Sequence, residues 1–188
     1  MAIIQKPFYF IRHGETPWNI ENRFTGQADI PLTEEGRKQA EEAGKLLQNK
    51  NIKFICHSSL LRARHTAEII NSHVKASLIE IADLQECSWG PYEGKNKSEW
   101  EGYQEWWNGR NFEGVESYEN FSKRVLKSMN HALNFEGPVA VVAHGAFYRT
   151  LANISNLPSI PKIPNALPVY YSPLENDLEW DFQIIKKN

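Results

Sequence analysis

The chain has 188 residues, of which 41% are hydrophobic and 23% charged, and its formal net charge is −2. This length suits one domain over residues 1–188, which can bury most of its apolar surface without disulfides or structural metals. The near-balanced charge gives no general electrostatic reason to bind nucleic acid or an anionic membrane. Cys56 and Cys87 suggest neither a disulfide framework nor a metal-ligand pair. With no signal sequence and no stretch of membrane-spanning length, we expect a soluble cytoplasmic protein.

The first predicted element is a buried strand at 8–11, an aromatic and β-branched run that is too short for a helix. This strand stops abruptly at Arg12 and His13. Further on, Thr33 precedes two glutamates, which predicts a helix N-cap with carboxylates in the first turn.

The middle of the chain continues the alternation of strands and helices. Strands are predicted at 52–56 and 77–82, and small apolar residues between them predict a helix directly behind the first of these two strands. Residues 88–115 differ, because four tryptophans are mixed there with Gly, Asn, Glu and Lys. We interpret this segment as an excursion of loops and short helices that packs onto the domain, or as a lid that sets substrate shape.

The last third of the chain alternates in the same way. Its predicted elements are a helix at 118–132, a strand at 138–143, a helix beginning near Gly145, and two closing strands at 166–171 and 178–185 joined across 172–177. Strands that alternate with helices predict an α/β fold, in which a mostly parallel sheet is covered on both faces.

Charged and imidazole side chains follow four of the predicted strands. Arg12 and His13 follow the first strand, Arg62 the second, Glu86 the third and His144 the fourth. Because the loops that leave the carboxyl ends of parallel strands lie along one edge of the sheet, we expect these five side chains to meet in one crevice.

Two arginines aimed at one spot indicate an anion, since their charges otherwise repel each other. The guanidinium groups of Arg12 and Arg62 match the oxygens of a phosphoryl group. The helix near Gly145 adds backbone N–H donors, and Asn19, with Thr16 nearby, could add neutral hydrogen bonds. The sequence therefore predicts a pocket for a phosphate monoester.

A neutral imidazole can attack phosphorus and form a phosphohistidine. His13 is the candidate nucleophile, because the adjacent Arg12 disfavours its protonated form. Glu86 is the candidate proton donor to the departing alkoxide if burial and a bound phosphate dianion keep it protonated, and Glu93 is its rival. His144 is better assigned as a donor to a phosphate oxygen.

Several of the candidate residues also have an interpretation without a functional role. A lone histidine after a strand is more often structural, although the paired context of His13 and His144 favours function. Lys95, Lys97 and Arg110 could meet a second anionic group, but isolated charges are usually solvated. Cys87 is expected to be an inert small side chain unless it is exposed and ionised.

Five stretches, IRHGETPWN, FTGQADIPLTEEG, SSLLRARHTAE, LQECSWGPYEG and VVAHG, occur in an order that resembles the histidine phosphatases of the phosphoglycerate mutase-like family. The resemblance covers nearly the whole chain and implies a three-layer α/β/α sandwich with a mainly parallel sheet, without a cofactor or metal. It implies that His13 is phosphorylated, that Glu86 donates the proton, and that the phosphoryl group is held by Arg12, Arg62 and His144 with help from Asn19. The chain departs from the family pattern at His57, where serine or threonine is common, and at Ser59, where proline is usual.

We therefore expect a cofactor-independent phosphatase that acts on small phosphomonoesters through phosphohistidine. A bisphosphoglycerate-dependent phosphoglycerate mutase is the alternative, although 95–115 lacks the arginine cluster by which those enzymes grip the substrate carboxylate. A non-catalytic phospho-ligand binding module is a further alternative, against which the intact His13 and Glu86 argue. The expected partner is a small molecule, not nucleic acid or membrane, and the apolar C-terminal strands could form a homodimer interface.

Overall fold

In the computed structural model, which describes residues 2–174 and 179–186, six strands form one sheet in the order β3-β2-β4-β1-β5-β6. The strands are β1 (Phe8–Arg12), β2 (Phe54–His57), β3 (Ser77–Glu80), β4 (Val139–Ala143), β5 (Pro168–Pro173) and β6 (Trp180–Ile184). The pairs among β1 to β4 are parallel, whereas β5 runs antiparallel to both β1 and β6. The predicted mostly parallel sheet and the closing antiparallel pair are confirmed, while residues 175–177 of the predicted connection across 172–177 lie outside the described residues.

The helices of the described residues are α1 (Pro17–Ile20), α2 (Glu34–Leu47), α3 (Leu61–Val74), α4 (Tyr103–Trp107), α5 (Tyr118–Leu133) and α6 (Gly145–Ser155). The predicted cap of α2 is confirmed, because the Thr33 hydroxyl accepts the Gly36 N–H at 2.9 Å. The third predicted strand is shorter than expected, since the chain turns into a 3₁₀ helix at Ala82–Leu84. None of these helices is both long and apolar enough to cross a bilayer.

Each face of the sheet has its own apolar core, as successive side chains of a strand point to opposite sides. Tyr9 and Ile11 of β1 belong to the core that includes side chains of α2 and α3. Phe8 and Phe10 belong to the opposite core, which includes side chains of α5 and α6. The molecule is therefore a three-layer α/β/α sandwich.

The tryptophan-rich excursion packs onto the α5 side of the sheet. Trp89, Trp100, Trp106 and Trp107 are all buried and belong to the same core as Phe121 of α5. Trp106 lies 4.6 Å from Trp89 and 6.1 Å from Phe121 between ring centroids, in edge-on and tilted geometries that favour aromatic pairs. Packing therefore accounts for these side chains, and Trp89 and Trp107 also reach the cavity described below.

The loop after β1 lies directly against the first turn of α2. A β-carbon at Gly36 would overlap the carbonyl oxygen of Glu15, and one at Gly14 would overlap the carbonyl oxygen of Gly36. The Gly14 N–H also donates to the Thr66 hydroxyl of α3 at 2.9 Å. The loop that carries His13 is thus held between two helices by contacts that leave no room for a side chain.

This close approach predicts the sign of one stability change. In an open helix, Gly36→Ala would stabilise by up to about 1 kcal/mol through helix propensity. Here we expect it to lower the free energy of unfolding by about 1–3 kcal/mol, because the added methyl group overpacks against backbone. Urea unfolding measures the change, with the exposed neighbour Glu35→Ala as a control expected to stay within about 0.5 kcal/mol. A stabilised Gly36→Ala protein would contradict the contact.

Candidate active site

A cavity of about 170 Å³ opens beyond the carboxyl ends of the parallel strands. Residues from separate parts of the chain form its walls, as the strand order predicts. Its lining includes six of the seven predicted site residues, namely Arg12, His13, Asn19, Arg62, Glu86 and Gly145. His144, the seventh, lies behind the wall, with its ring centroid 5.3 Å from that of His13.

His13 is buried, with 3% of its surface exposed, and both of its ring nitrogens have neighbours. Nδ1 lies 2.7 Å from the carbonyl oxygen of Gly14, to which it can only donate, so it carries the proton. Nε2 then keeps its lone pair and accepts the Nε–H of Arg62 at 3.3 Å. Burial, together with the charges of Arg62 and Arg12, holds the pKa of His13 well below its ordinary value. The imidazole is therefore neutral, with a lone pair on Nε2.

Two guanidinium groups flank this imidazole. Arg62 is fully buried and donates to the carbonyl oxygens of Ala28 at 2.8 Å and Gly26 at 2.7 Å. Burial lowers its pKa to about 10, against the opposing effect of the Glu86 carboxylate, so it stays charged at neutral pH. Arg12 donates one N–H to the carbonyl oxygen of Ile163 at 3.0 Å, whereas its buried Nε has no hydrogen-bond partner.

His144 is the residue that precedes α6, and it is completely buried. Its Nε2 lies 2.9 Å from the hydroxyl oxygen of Ser58, and its buried Nδ1 has no partner. The Ser58 oxygen accepts the Leu60 N–H at 3.3 Å and can donate its own proton to Nε2. In the tautomer in which Ser58 donates, Nδ1 of His144 carries the ring proton and is a buried donor.

The Glu86 carboxyl lies at the N-terminus of α6. It accepts the N–H groups of Ala146 at 2.9 Å, Phe147 at 3.0 Å and Cys87 at 3.1 Å, and the residue is 8% exposed. Two of the α6 amides that the sequence assigned to phosphate are therefore occupied by a carboxylate of the chain itself. The helix N-terminus favours an anion, and in this structure Glu86 provides it.

Glu93, the rival acid, has a structural position. Its Oε1 accepts the N–H of Gln27 at 2.9 Å and of Trp89 at 3.1 Å, and Glu93 does not line the cavity. It thereby holds the turn whose Gly26 carbonyl accepts from Arg62. Of these two carboxyl groups, that of Glu86 lines the cavity and that of Glu93 binds main-chain N–H groups away from it.

Asn19 lies in the first turn beyond the predicted nucleophile. Its Oδ1 accepts the Thr16 N–H at 3.1 Å, and it also accepts from the side-chain amide of Asn165 at 3.1 Å. Asn165 additionally donates to the His13 carbonyl oxygen at 2.9 Å. Neither Asn165 nor Ser58 was predicted from the sequence, where only the family-like stretch SSLLRARHTAE, which contains Ser58, carries a signal for either.

The outer part of the cavity carries more positive charge than the sequence indicated. Arg23, Lys97, Arg149 and Lys162 line it, and Glu86 is the sole carboxylate among its lining residues within the described chain. Lys97 is half-buried, and burial and the nearby Arg12 lower its pKa, so the expectation that it is merely solvated was wrong.

Lys95 and Arg110, the other two candidate cations of the tryptophan-rich excursion, do not line the cavity. Lys95 lies 5.3 Å over the ring of Tyr92, and Arg110 pairs with Glu105. The cations that surround the cavity instead come from four separate segments, which explains why no local cluster was visible in the sequence.

Cys87 is buried, and burial followed by the charges of Glu116 and Glu86 raises the pKa of its thiol, which makes it a poor nucleophile. Within residues 2–174 and 179–186, no three His, Cys, Asp or Glu side chains are grouped so as to hold a metal ion.

Comparisons with known proteins agree with this geometry. A family model described as the histidine phosphatase superfamily (branch 1) matches residues 8–159. The uncharacterized phosphatase PhoE of Bacillus subtilis is 33% identical over 144 residues, which cover 75% of this chain and 72% of that protein. A 2,3-bisphosphoglycerate-dependent phosphoglycerate mutase of Hamiltonella defensa is 36% identical over 158 residues, which cover 81% of this chain and 59% of the mutase.

Solved structures share the fold over almost the whole chain. YhfR of Bacillus stearothermophilus superposes with a TM-score of 0.81 at 26% identity, covering 95% of this chain and 96% of that chain. A mycobacterial glucosyl-3-phosphoglycerate phosphatase has the same fold, with a TM-score of 0.81 at 24% identity over 97% of this chain and 100% of that chain. Since the family match spans the sequence from β1 past His144 and the fold agrees, the chain belongs to the histidine phosphatase superfamily, branch 1.

Proposed function

We propose that this protein is a phosphomonoesterase that hydrolyses small phosphorylated metabolites through a phosphohistidine at His13. The observation that carries the proposal is the state of the buried His13 ring, which is neutral, has its lone pair on the Nε2 that accepts from Arg62, and is subject to the charges of Arg62 and Arg12. The similarity to the phosphatase PhoE over 75% of the chain supports the same activity.

Two buried nitrogens near His13 support a phosphoryl site. The Arg12 Nε–H and His144 Nδ1 have no hydrogen-bond partner among the described residues, and a buried donor left unpaired costs about 1–3 kcal/mol. A phosphoryl group has three oxygens that can accept from Arg12 and Arg62 and, when its Nδ1 carries the proton, from His144. These side chains therefore suit a bound phosphoryl group.

The proposed reaction has two chemical steps, of which the first forms the phosphohistidine. Nε2 of His13 attacks phosphorus, a P–N bond forms, and the ester P–O bond breaks with its electron pair leaving on the alkoxide. The guanidinium groups of Arg12 and Arg62 stabilise charge on the phosphoryl oxygens during transfer. Glu86, whose carboxyl group lines the cavity, donates a proton to the alkoxide when it is protonated.

The second step regenerates the enzyme. Water attacks the phosphohistidine, the P–N bond breaks with its electron pair returning to Nε2, and inorganic phosphate forms. The Glu86 carboxylate, now without its proton, accepts one from the attacking water, which restores the starting state. No group beyond the chain's own residues, the ester and water takes part in this balance.

A phosphoglycerate mutase activity is the second candidate, and one observation favours it. The four cations in the outer cavity, Arg23, Lys97, Arg149 and Lys162, could hold a substrate that carries a further negative group, as phosphoglycerate does. The similarity to the Hamiltonella defensa mutase agrees with this candidate, although the match spans 59% of that protein's length. A mutase would return the phosphoryl group from His13 to another substrate hydroxyl and not to water.

The first prediction concerns the nucleophile. We expect phosphate release from a panel of phosphomonoesters, and His13→Ala should reduce kcat by at least about a thousandfold, as loss of a covalent nucleophile does. The wild-type protein should also become labelled by a ³²P-substrate with an acid-labile bond that His13→Ala lacks. Isomerisation of 3-phosphoglycerate, measured alongside with a bisphosphate primer, would establish the mutase if it outpaced release. Full activity of His13→Ala would reject the mechanism.

The second prediction concerns the protonation of His13. Because burial and two cations oppose the imidazolium, side-chain ¹⁵N NMR of the free protein should show His13 neutral, with the proton on Nδ1, at pH values below its ordinary pKa. Arg12→Gln removes one cation and should shift the pKa upward. A His13 that is already protonated at pH 6.5 in the wild-type protein would contradict the assignment.

The third prediction concerns the proton donor. We expect Glu86→Gln to lower kcat/KM for alkyl phosphates by about a hundredfold or more, because the departing alkoxide needs a proton. For p-nitrophenyl phosphate, whose leaving group needs little protonation, we expect less than about a threefold loss. Glu93→Gln, at the rival carboxyl, should not produce this difference between the two substrates. Equal losses on both substrates in Glu86→Gln would reject Glu86 as the acid.

A further inference from the structure

Arg124 of α5 does not line the cavity, yet its guanidinium group binds the segment that carries Glu86. Its Nη1 donates to the carbonyl oxygens of Asp83 at 3.0 Å and Gln85 at 2.6 Å, and its Nη2 donates to the carbonyl oxygen of Glu86 at 3.2 Å. One side chain thus holds three carbonyl groups along four consecutive residues of the chain.

Glu116 fixes this guanidinium group from the other side. Its two carboxylate oxygens accept from Nε of Arg124 at 2.9 Å and from Nη2 at 2.6 Å, and each of the two side chains is 17% exposed. Glu116 also accepts the Ser88 N–H at 3.1 Å, and its own N–H donates to the Ser88 carbonyl oxygen at 2.9 Å. The Arg124–Glu116 ion pair therefore binds the main chain on both sides of Glu86, at residues 83 and 85 before it and at Ser88 after it.

The position of this main chain matters because a proton donor has to reach one atom, the leaving oxygen of the substrate. The Glu86 side chain has three rotatable bonds, so the α6 amides that hold its carboxyl group place it precisely only if the Glu86 main chain is fixed as well. Besides Arg124, the Glu86 carbonyl oxygen receives only a 3.3 Å hydrogen bond from Gln27 among the described contacts. Arg124, which also holds the two carbonyl oxygens before it, therefore contributes to the position of the main chain at Glu86.

Only arginine has the geometry that this arrangement uses. Its planar group presents five N–H donors in fixed directions, which here reach three carbonyl oxygens and both carboxylate oxygens of Glu116. A lysine at the same position keeps the positive charge but has a single nitrogen, which cannot span these acceptors. Substitution by lysine therefore separates the effect of geometry from that of charge.

We propose that Arg124 is a positioning residue for proton transfer, whose guanidinium group, oriented by Glu116, fixes the main chain at Glu86 so that the Glu86 carboxyl group meets the leaving oxygen of the substrate. This inference rests on the proposed function, in which Glu86 is the general acid. Arg124 itself touches neither substrate nor the reacting atoms.

The test compares two substrates in one preparation of Arg124→Lys. We expect kcat/KM to fall about tenfold or more for an alkyl phosphate, because a displaced acid delivers its proton poorly, and less than about twofold for p-nitrophenyl phosphate. The ratio of the two kcat/KM values does not depend on how much of the protein is folded. A loss of stability alone would leave this ratio unchanged.

Lys127→Gln is the matched control on the same helix. Lys127 pairs with the Asp83 side chain at 3.0 Å and contacts no carbonyl oxygen of the Glu86 segment in the described structure, so its removal should leave the substrate ratio at the wild-type value. If Lys127→Gln shifted the ratio as much as Arg124→Lys, the specific role of the guanidinium group would be overturned.

The remaining outcomes also separate the two proposals. An Arg124→Lys protein with the wild-type ratio, whether fully active or equally weakened on both substrates, overturns the positioning role and leaves the phosphatase intact. A wild-type protein that releases phosphate from neither substrate overturns the proposed function, and the positioning role with it. Should Arg124→Lys not fold, Glu116→Gln carries the same test, since it keeps the guanidinium group but removes the carboxylate that orients it.

Discussion

The structure of the site depends on one buried cation, Arg62. A guanidinium group with no exposed surface is costly to bury unless its donors are satisfied, and here Gly26, Ala28 and His13 accept from it. Gly26 and Ala28 lie in one loop, which Glu93 fixes by accepting the N–H groups of Gln27 and Trp89. The tryptophan-rich excursion is thereby connected to the protonation state of the candidate nucleophile.

The two candidate reacting groups share one positive environment within the cavity. His13 lies beside two cations, which oppose its protonation. The Glu86 carboxyl lies on the positive end of α6, where Ala146 and Phe147 donate to it. The positive surroundings that oppose an imidazolium at His13 also suit the phosphate dianion of the proposed substrate.

The rule that parallel strands present their carboxyl ends at one edge was enough to predict that Arg12, His13, Arg62 and Glu86 line one cavity. The fifth predicted side chain, that of His144, lies beside His13 but does not line the cavity. Other parts of the site could not be predicted in this way. Arg124 and Glu116 act on backbone carbonyl and amide groups, which have no signature in a sequence. The amides of α6 were assigned to phosphate because a helix N-terminus binds any nearby anion. Residue spacing cannot show that the Glu86 carboxyl group already accepts from two of these amides.

The geometry of the site is finally a consequence of sheet register. β1 and β4 pair so that Arg12 lies opposite Ala143, which sets the next residues, His13 and His144, side by side. A shift of one residue in β1 would reverse its faces and place Phe8 and Phe10 in the core meant for Tyr9 and Ile11. Because those two cores differ in size and in the helices that cover them, the apolar residues of β1 select the register. Packing in the core of the sheet thus determines the distance between the two histidines of the candidate site.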